Sequence, residues 1–265
     1  MHPILFQIGS FPIGTYGLLL VIAFFSALTL AKRQGRLDGL SGDAITDLSI
    51  TMLLAGVVGA KLLMILVDLI NGGRFLDIFS LGTLRAGGAV HGGIIAGAVA
   101  LFWRARKLKL NLPLTLDACV PAVALGQAIG RLGCFSAGCC FGTECHNALA
   151  VTFTDINANV LSGTPLHLPL HPVQLYTFCM NLLVMILLLL VRKHRSFTGQ
   201  VLACYFMLEG VGRALMETWR GDLDRGIWFG LQGLSTGRLT ALLFFIAGIA
   251  LWFWFRRRSA APAKA

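Results

Sequence analysis

Between Val173 and Val191 the chain reads VQLYTFCMNLLVMILLLLV, nineteen positions without a charged side chain. An α-helix crosses the hydrocarbon core of a bilayer with about 20 mostly apolar residues. Only helices and closed barrels satisfy their own backbone hydrogen bonds in lipid. Working outward, six further runs have the same character: residues 13–31, 47–69, 88–104, 114–131, 199–217 and 236–255. The runs at 88–104 and 114–131 are short or glycine-rich, so their ends are the least defined. Long segments of alternating polarity are lacking, which argues against a barrel. The chain is 56% hydrophobic and 13% charged, against about 45–50% and about 25% in soluble domains.

The expected fold is therefore all-α, a polytopic bundle of about seven transmembrane helices. It forms one membrane-embedded domain over residues 1–258, followed by a disordered cytoplasmic tail at 259–265. Residues 131–172 are too short and loop-like to form a separate soluble domain. Residues 1–10 lack a basic leader region, and no small-residue cleavage motif precedes Lys32-Arg33, so the first run reads as a retained span. Internal repeats, low-complexity segments and paired broken helices of the transporter type are not seen.

Orientation follows from the loops. Lys32, Arg33 and Arg36, then Arg104, Arg106, Lys107 and Lys109, then Arg192, Lys193 and Arg195, then Arg256, Arg257, Arg258 and Lys264 fall in one alternate set. The other set holds only Arg74, Arg85, Arg131, Arg213, Arg220, Arg225 and Arg238. The positive-inside rule places the first set in the cytoplasm, with the N-terminus outside and the C-terminus inside. The net charge of +10 is thus dispersed in short clusters between apolar runs, which excludes nucleic acid as the expected partner.

Against this background the ionisable groups inside the runs stand out. An Arg at bilayer depth costs from about 2.5 to above 10 kcal/mol unless it is paired or meets water. Arg131 sits in Gly130-Arg131-Leu132-Gly133, and its planar donor fork suits a phosphate; the alternative is a helix-end Arg snorkelling to the interface. His91 lies in Arg85-Ala86-Gly87-Gly88-Ala89-Val90-His91-Gly92-Gly93. This segment is either a glycine-rich anion site with a general base or a packing turn. Arg213 and Glu217 share a helical face by their spacing of four, as a tolerated ion pair or as an oriented Arg that meets a developing anion. Arg220 adds to the same patch. Gln174 and Tyr176, in Pro172-Val173-Gln174-Leu175-Tyr176, and Tyr16 before Gly17 read as interface anchors or cavity lining. Lys61 either snorkels or pairs with a lipid phosphate.

Cys134, Cys139, Cys140 and Cys145 cluster, with His146 adjacent. Vicinal Cys139-Cys140 is unlike the CxxC spacing of zinc knuckles. On an outer loop, disulfide pairing stands ahead of packing thiols and of a metal or redox role. Cys119, Cys179 and Cys204 lie in apolar runs and read as packing residues.

Taken together, these pieces resemble the bacterial prolipoprotein diacylglyceryl transferase family. The likeness runs from Ile8-Gly9 through the last span. Its elements come in family order: Tyr16-Gly17, Lys61, His91-Gly92-Gly93, Gly130-Arg131-Leu132-Gly133 with Phe135 and Gly142, Pro172 to Tyr176, and Arg213-Ala214-Leu215-Met216-Glu217.

The resemblance implies transfer of a diacylglyceryl group from phosphatidylglycerol to the lipobox cysteine of prolipoproteins in the bacterial inner membrane. A thioether forms and glycerol-1-phosphate leaves. It further implies a catalytic set of His91, Arg131, Arg213 and Glu217. Arg131, Tyr16, Lys61, Gly92, Gly93, Gly130, Gly142, Gln174 and Tyr176 would line the lipid site. The reaction calls for no metal or other cofactor. Against the family pattern, Cys134 replaces an Asn, Ala137 and Cys139 stand at Asn and Glu positions, Thr177 replaces a Glu, and Gly237-Arg238 replaces Gly-Gln. Two alternatives remain beside this reading: a paralogous lipid transferase with another acceptor, and a non-catalytic transporter or metal/redox membrane protein built on the cysteines.

Overall fold

The computed structural model describes residues 3–8, 11–72, 89–221 and 235–260. Gly9, Arg74, residues 85–88, Arg225 and the tail from 261 lie outside the described residues.

A hairpin of β1 (Ile4–Ile8) and β2 (Phe11–Gly14) leads into α1 (Thr15–Leu37). Then follow α2 (Gly42–Ile70), α3 (Val90–Lys107) and α4 (Leu112–Ala137). A short antiparallel pair, β3 (Val151–Thr152) and β4 (Pro169–Leu170), flanks α5 (Ile156–Ser162). The chain continues through α6 (Val173–Lys193), α7 (Gln200–Glu217) and α8 (Thr236–Ala260).

All seven expected runs are helices, and several extend beyond them. Helix α1 continues through Lys32, Arg33 and Arg36, since Lys and Arg are good helix formers. Helix α4 runs past the expected end at 131 to Ala137 and so also carries Cys134 in its last turn.

Among the described residues, five helices are long and apolar enough to cross a membrane: α1, α2, α4, α6 and α8. The other two, α3 and α7, have 18 residues each and carry three charges each. Those of α3 are Arg104, Arg106 and Lys107, and those of α7 are Glu209, Arg213 and Glu217. None of the most apolar window of α2 is buried; Leu54, Val57, Leu62 and Leu66 all point outward. In water such a surface would drive association. In hydrocarbon it is the ordinary exterior of a span.

The chain forms two compact units. The first comprises Met1–Gln34 with Leu116–Ala265. Its core joins α4, α6, α7 and α8 through Val120, Ala124, Val184, Leu188, Val201, Leu202, Tyr205 and Phe255. Fully buried Asp117 on α4 accepts from the backbone N–H groups of Gly199 (2.7 Å) and Leu202 (2.9 Å). It thereby caps the start of α7, where orphan donors and the positive end of the dipole favour a carboxylate. A Cβ on Gly210 would come within 2.7 Å of the Ala241 carbonyl, so α7 and α8 are in backbone contact there.

Residues 138–172 are more ordered than a loop. Asp155 caps α5 by accepting from the Asn157 N–H (2.9 Å). Gly163 ends it in the left-handed region at φ 65°, the usual glycine stop. Buried Thr164 donates to the Gly138 carbonyl (2.9 Å), and buried Phe153 packs edge-on against Phe135.

The second unit, Gly35–Thr115, is dominated by α2 and α3. A Cβ on Gly92 would overlap the Gly59 carbonyl, and one on Gly93 would come within 3.0 Å of the Gly56 carbonyl. Small residues let helices approach this closely in lipid. Arg104 on α3 makes a forked ion pair with Asp47 on α2, Nε lying 3.1 Å from each carboxylate oxygen. Lys107 lies over the Trp103 ring at 5.4 Å.

Candidate active site

Within the first unit one cavity collects the polar groups of the apolar runs. It is lined by Arg131 from α4, Thr177 and Met180 from α6, Glu209, Arg213, Met216 and Glu217 from α7, and Arg220 just beyond. Its free volume is about 20 Å³, which accommodates a water or two. Three guanidiniums and two carboxylates therefore meet in a small polar space built from helices.

Helical spacing explains much of this. Glu209, Arg213 and Glu217 follow one another at intervals of four on α7, so they stack along one face. Glu209 is buried, and among the described residues its Oε2 has no hydrogen-bond partner. Sequence reasoning missed Glu209, although its spacing from Arg213 was the available signal. Glu217 Oε1 accepts from the Ser235 hydroxyl at 2.6 Å. A Cβ on Gly237 would overlap the Glu217 carboxylate, so Gly237 leaves room for that side chain. Thr177, at a position where the family usually has Glu, turns its hydroxyl back to the Val173 carbonyl (2.7 Å).

Beside Arg220 the backbone forms a junction centred on Gly142. Gly142 N–H donates to the His171 carbonyl (3.1 Å), Thr143 N–H to the Trp219 carbonyl (2.9 Å), and Gly221 N–H to the Phe141 carbonyl (3.1 Å). A Cβ on Gly142 would come within 2.5 Å of the His171 carbonyl and 2.8 Å of the Trp219 carbonyl. Glycine is required there because three segments cross. The crossing pairs Gly142 with Arg220. Tyr176 and His171 meet at 3.3 Å (hydroxyl to Nδ1), and Tyr176 packs edge-on against Trp219.

Gln174 is fully buried rather than at an interface, and its Nε2 donates to the Cys139 carbonyl at 2.9 Å. Tyr16 packs on the α4 glycines: a Cβ on Gly133 would come within 2.9 Å of its ring. The neighbouring Gly130 faces Leu20 of α1.

All seven cysteines are free thiols. The sulfurs of Cys134, Cys139 and Cys140 lie within 4.8 Å of one another, whereas buried Cys145 turns its thiol to Asn147 Oδ1 at 3.8 Å. Hydrogen bonds with Cys134 and Cys139, aided by the Arg220 and Arg131 guanidiniums, hold Cys140 below the usual thiol range. Hydrogen bonds with Cys134 and Cys140 push Cys139 up.

The structure thus brings Arg131, Arg213, Glu217 and Arg220 to one cavity and sets Gly142, Gln174 and Tyr176 in its surrounding framework. His91 and Lys61 belong to the second unit. His91 is exposed at the start of α3 and Lys61 is half-buried on α2. Gly92 and Gly93 face the α2 backbone, the packing alternative raised for that segment.

Known proteins resemble this chain over nearly its whole length. Residues 3–254 match the family model described as prolipoprotein diacylglyceryl transferase. A Clostridium tetani protein named phosphatidylglycerol--prolipoprotein diacylglyceryl transferase is 33% identical over 94% of this chain and 96% of its own length. Proteins of the same name from Parasynechococcus marenigrum (30% identical, covering 99% of this chain and 97% of theirs) and Clostridium perfringens (numbered 2; 28%, 95% and 94%) are similarly related. With a match over nearly its whole length and relatives this similar, the chain belongs to the prolipoprotein diacylglyceryl transferase family.

Proposed function

We propose that this protein transfers the diacylglyceryl group of phosphatidylglycerol to the thiol of a lipobox cysteine in prolipoproteins. A carbon–sulfur bond forms as the glycerol carbon–oxygen bond to phosphate breaks, and glycerol-1-phosphate leaves. This is the first step of lipoprotein maturation. The observation that carries the reading is the cavity holding Arg131, Arg213 and Arg220 beside Glu209 and Glu217, in a chain whose relatives are named for this transfer.

Negative charge grows on the departing phosphate, so fixed guanidiniums lower the barrier more than they stabilise the bound lipid. Arg131 holds the lipid phosphate and Arg213 meets the charge as it develops. Glu209 and Glu217 flank Arg213 along α7, and the Ser235 hydroxyl fixes Glu217; this pair keeps the guanidinium aimed. The thiol reacts as thiolate, with a free pKa of about 8.5. The motif His91-Gly92-Gly93 assigns its deprotonation to His91. Lys61, Gly92, Gly93, Gly130, Gly142, Gln174, Tyr176 and Tyr16 belong to the lipid site by the same motif correspondence.

The seven helices cross the bacterial inner membrane, N-terminus outside and C-terminus in the cytoplasm. In α3 the charges gather at one end, and in α7 they face a cavity shared with Arg131, which makes both tolerable as spans.

The test uses purified protein in detergent with phosphatidylglycerol and a lipobox peptide, following glycerol phosphate release and peptide mass together. Coupled release and thioether formation, lost in a folded Arg131→Ala variant, is the expected result. Absence of turnover by the folded, lipid-supplied protein would overturn the reading. So would loss of function in Cys139→Ser/Cys140→Ser with Arg131→Ala still active.

A further inference from the structure

The transfer reaction leaves one cluster without a task. Cys134 lies in the last turn of α4, and five residues later its carbonyl accepts from the Cys139 thiol at 3.7 Å. Between them Gly138 takes φ 81°, and Cys140 itself takes φ 61°. A residue with a Cβ is rarely left-handed, and such strain persists only where surroundings hold it. Here the turn is held by Gln174 on the Cys139 carbonyl and Thr164 on the Gly138 carbonyl. It brings vicinal Cys139 and Cys140 back toward Cys134, so that three sulfurs converge within 4.8 Å.

We propose that Cys134, Cys139 and Cys140 form a three-thiolate site for one soft d10 metal ion, which clips the turn after α4 to the helix that carries Arg131. Zinc–sulfur bonds of about 2.3 Å set tetrahedral ligand sulfurs about 3.8 Å apart, so small side-chain rotations close the site. Thiolates select zinc and Cu(I) over harder ions. Three protein ligands suffice for trigonal Cu(I), and zinc completes its four with water. Binding releases the thiol protons to solvent. The ligand set is anionic, and the guanidiniums of Arg131 and Arg220 act on Cys140, offsetting part of that charge. Cys145 and His146, close in sequence, fall outside the three-sulfur group. The site adjoins Arg131 but does not depend on the transfer reaction, and its metal binding is tested without turnover.

The purified, reduced protein in detergent is stripped with a chelator and titrated anaerobically with Co²⁺. Expected is one equivalent per chain with thiolate-to-cobalt charge-transfer absorption. Displacement by Zn²⁺ and by Cu⁺ at buffered free concentrations then identifies which ion the site prefers. Cys134→Ser, Cys139→Ser and Cys140→Ser each weaken binding by more than about 100-fold, beyond the about 10–100-fold of a change outside the ligand shell. Cys119→Ser and Cys179→Ser leave it intact. As a readout independent of variants, bound zinc shields three of the thiols from an alkylating reagent, by intact mass, until chelator is added. Lack of both the absorption and the shielding overturns the proposal. So does equal metal binding by the triple Ser variant, or recovery of the native protein with a disulfide among these three.

Discussion

Helices α3 and α7 have the same length and the same number of charged residues, yet they use them in opposite ways. In α3 the charges gather at the C-terminal end as Arg104, Arg106 and Lys107. There they favour the negative end of the helix dipole and reach Asp47 or the Trp103 ring at the surface. In α7 they are spread at intervals of four along the helix, Glu209 is buried, and all three line a cavity with Arg131. Terminal charges stay at the surface, while charges distributed along one helical face gather at a cavity. Hydropathy alone treats the two helices alike.

The largest effect that would sharpen this contrast is on activity. Arg213→Ala should lower turnover by about 100- to 1000-fold, as for loss of a donor to a developing anion, with the thermal midpoint largely kept. The matched Arg104→Ala should leave turnover unchanged. Equal losses in the two variants would break the comparison.

Next comes Glu209→Gln, which keeps shape and removes charge. Glu209 is a charge one turn from Arg213, and losing about 1.4–2.8 kcal/mol of transition-state stabilisation should lower kcat by roughly 10- to 100-fold with KM for phosphatidylglycerol little altered. A pure rise in KM would assign Glu209 to lipid binding instead.

A third variant asks what α3 is for. Gly92→Leu drives a side chain into the Gly59 carbonyl and should cost about 1–3 kcal/mol by overpacking, seen as a lower thermal midpoint. Gly17→Ala, where a Cβ meets nothing within 4 Å, is the control. A comparable loss is expected from Asp117→Asn, which keeps one capping oxygen but turns an amide NH2 toward the second of the two buried N–H groups at the start of α7. About 1–3 kcal/mol of stability should go, with turnover by the folded protein unchanged.

Much of this was legible in the chain. Nineteen uncharged residues from Val173 to Val191 can only be a span or a buried helix. Repetition of that pattern identified the helices. The i, i+4 spacing linked Arg213 to Glu217, though the same rule extended one turn back would have included Glu209. The three-sulfur arrangement was not readable. Adjacent Cys139 and Cys140 look unsuited to one ligand set until the left-handed Cys140 turns the backbone. Gln174 and Tyr176 read equally well as interface anchors, and only the path of residues 138–142 makes Gln174 a buried clamp on the Cys139 carbonyl. Gly92 and Gly93 read as a ligand-approach motif, and the structure adds that both pack against the α2 backbone.

The sequence by itself determined the solvent and the helices, because the length and polarity of a segment decide whether lipid accepts it. It also determined which charges were anomalous, since burying an ion is costly wherever it lies. Only the tertiary structure decided which of those charges share a cavity. That depends on backbone crossings such as Gly142 against His171 and Trp219, made between residues far apart in the chain and governed by packing that no local pattern encodes.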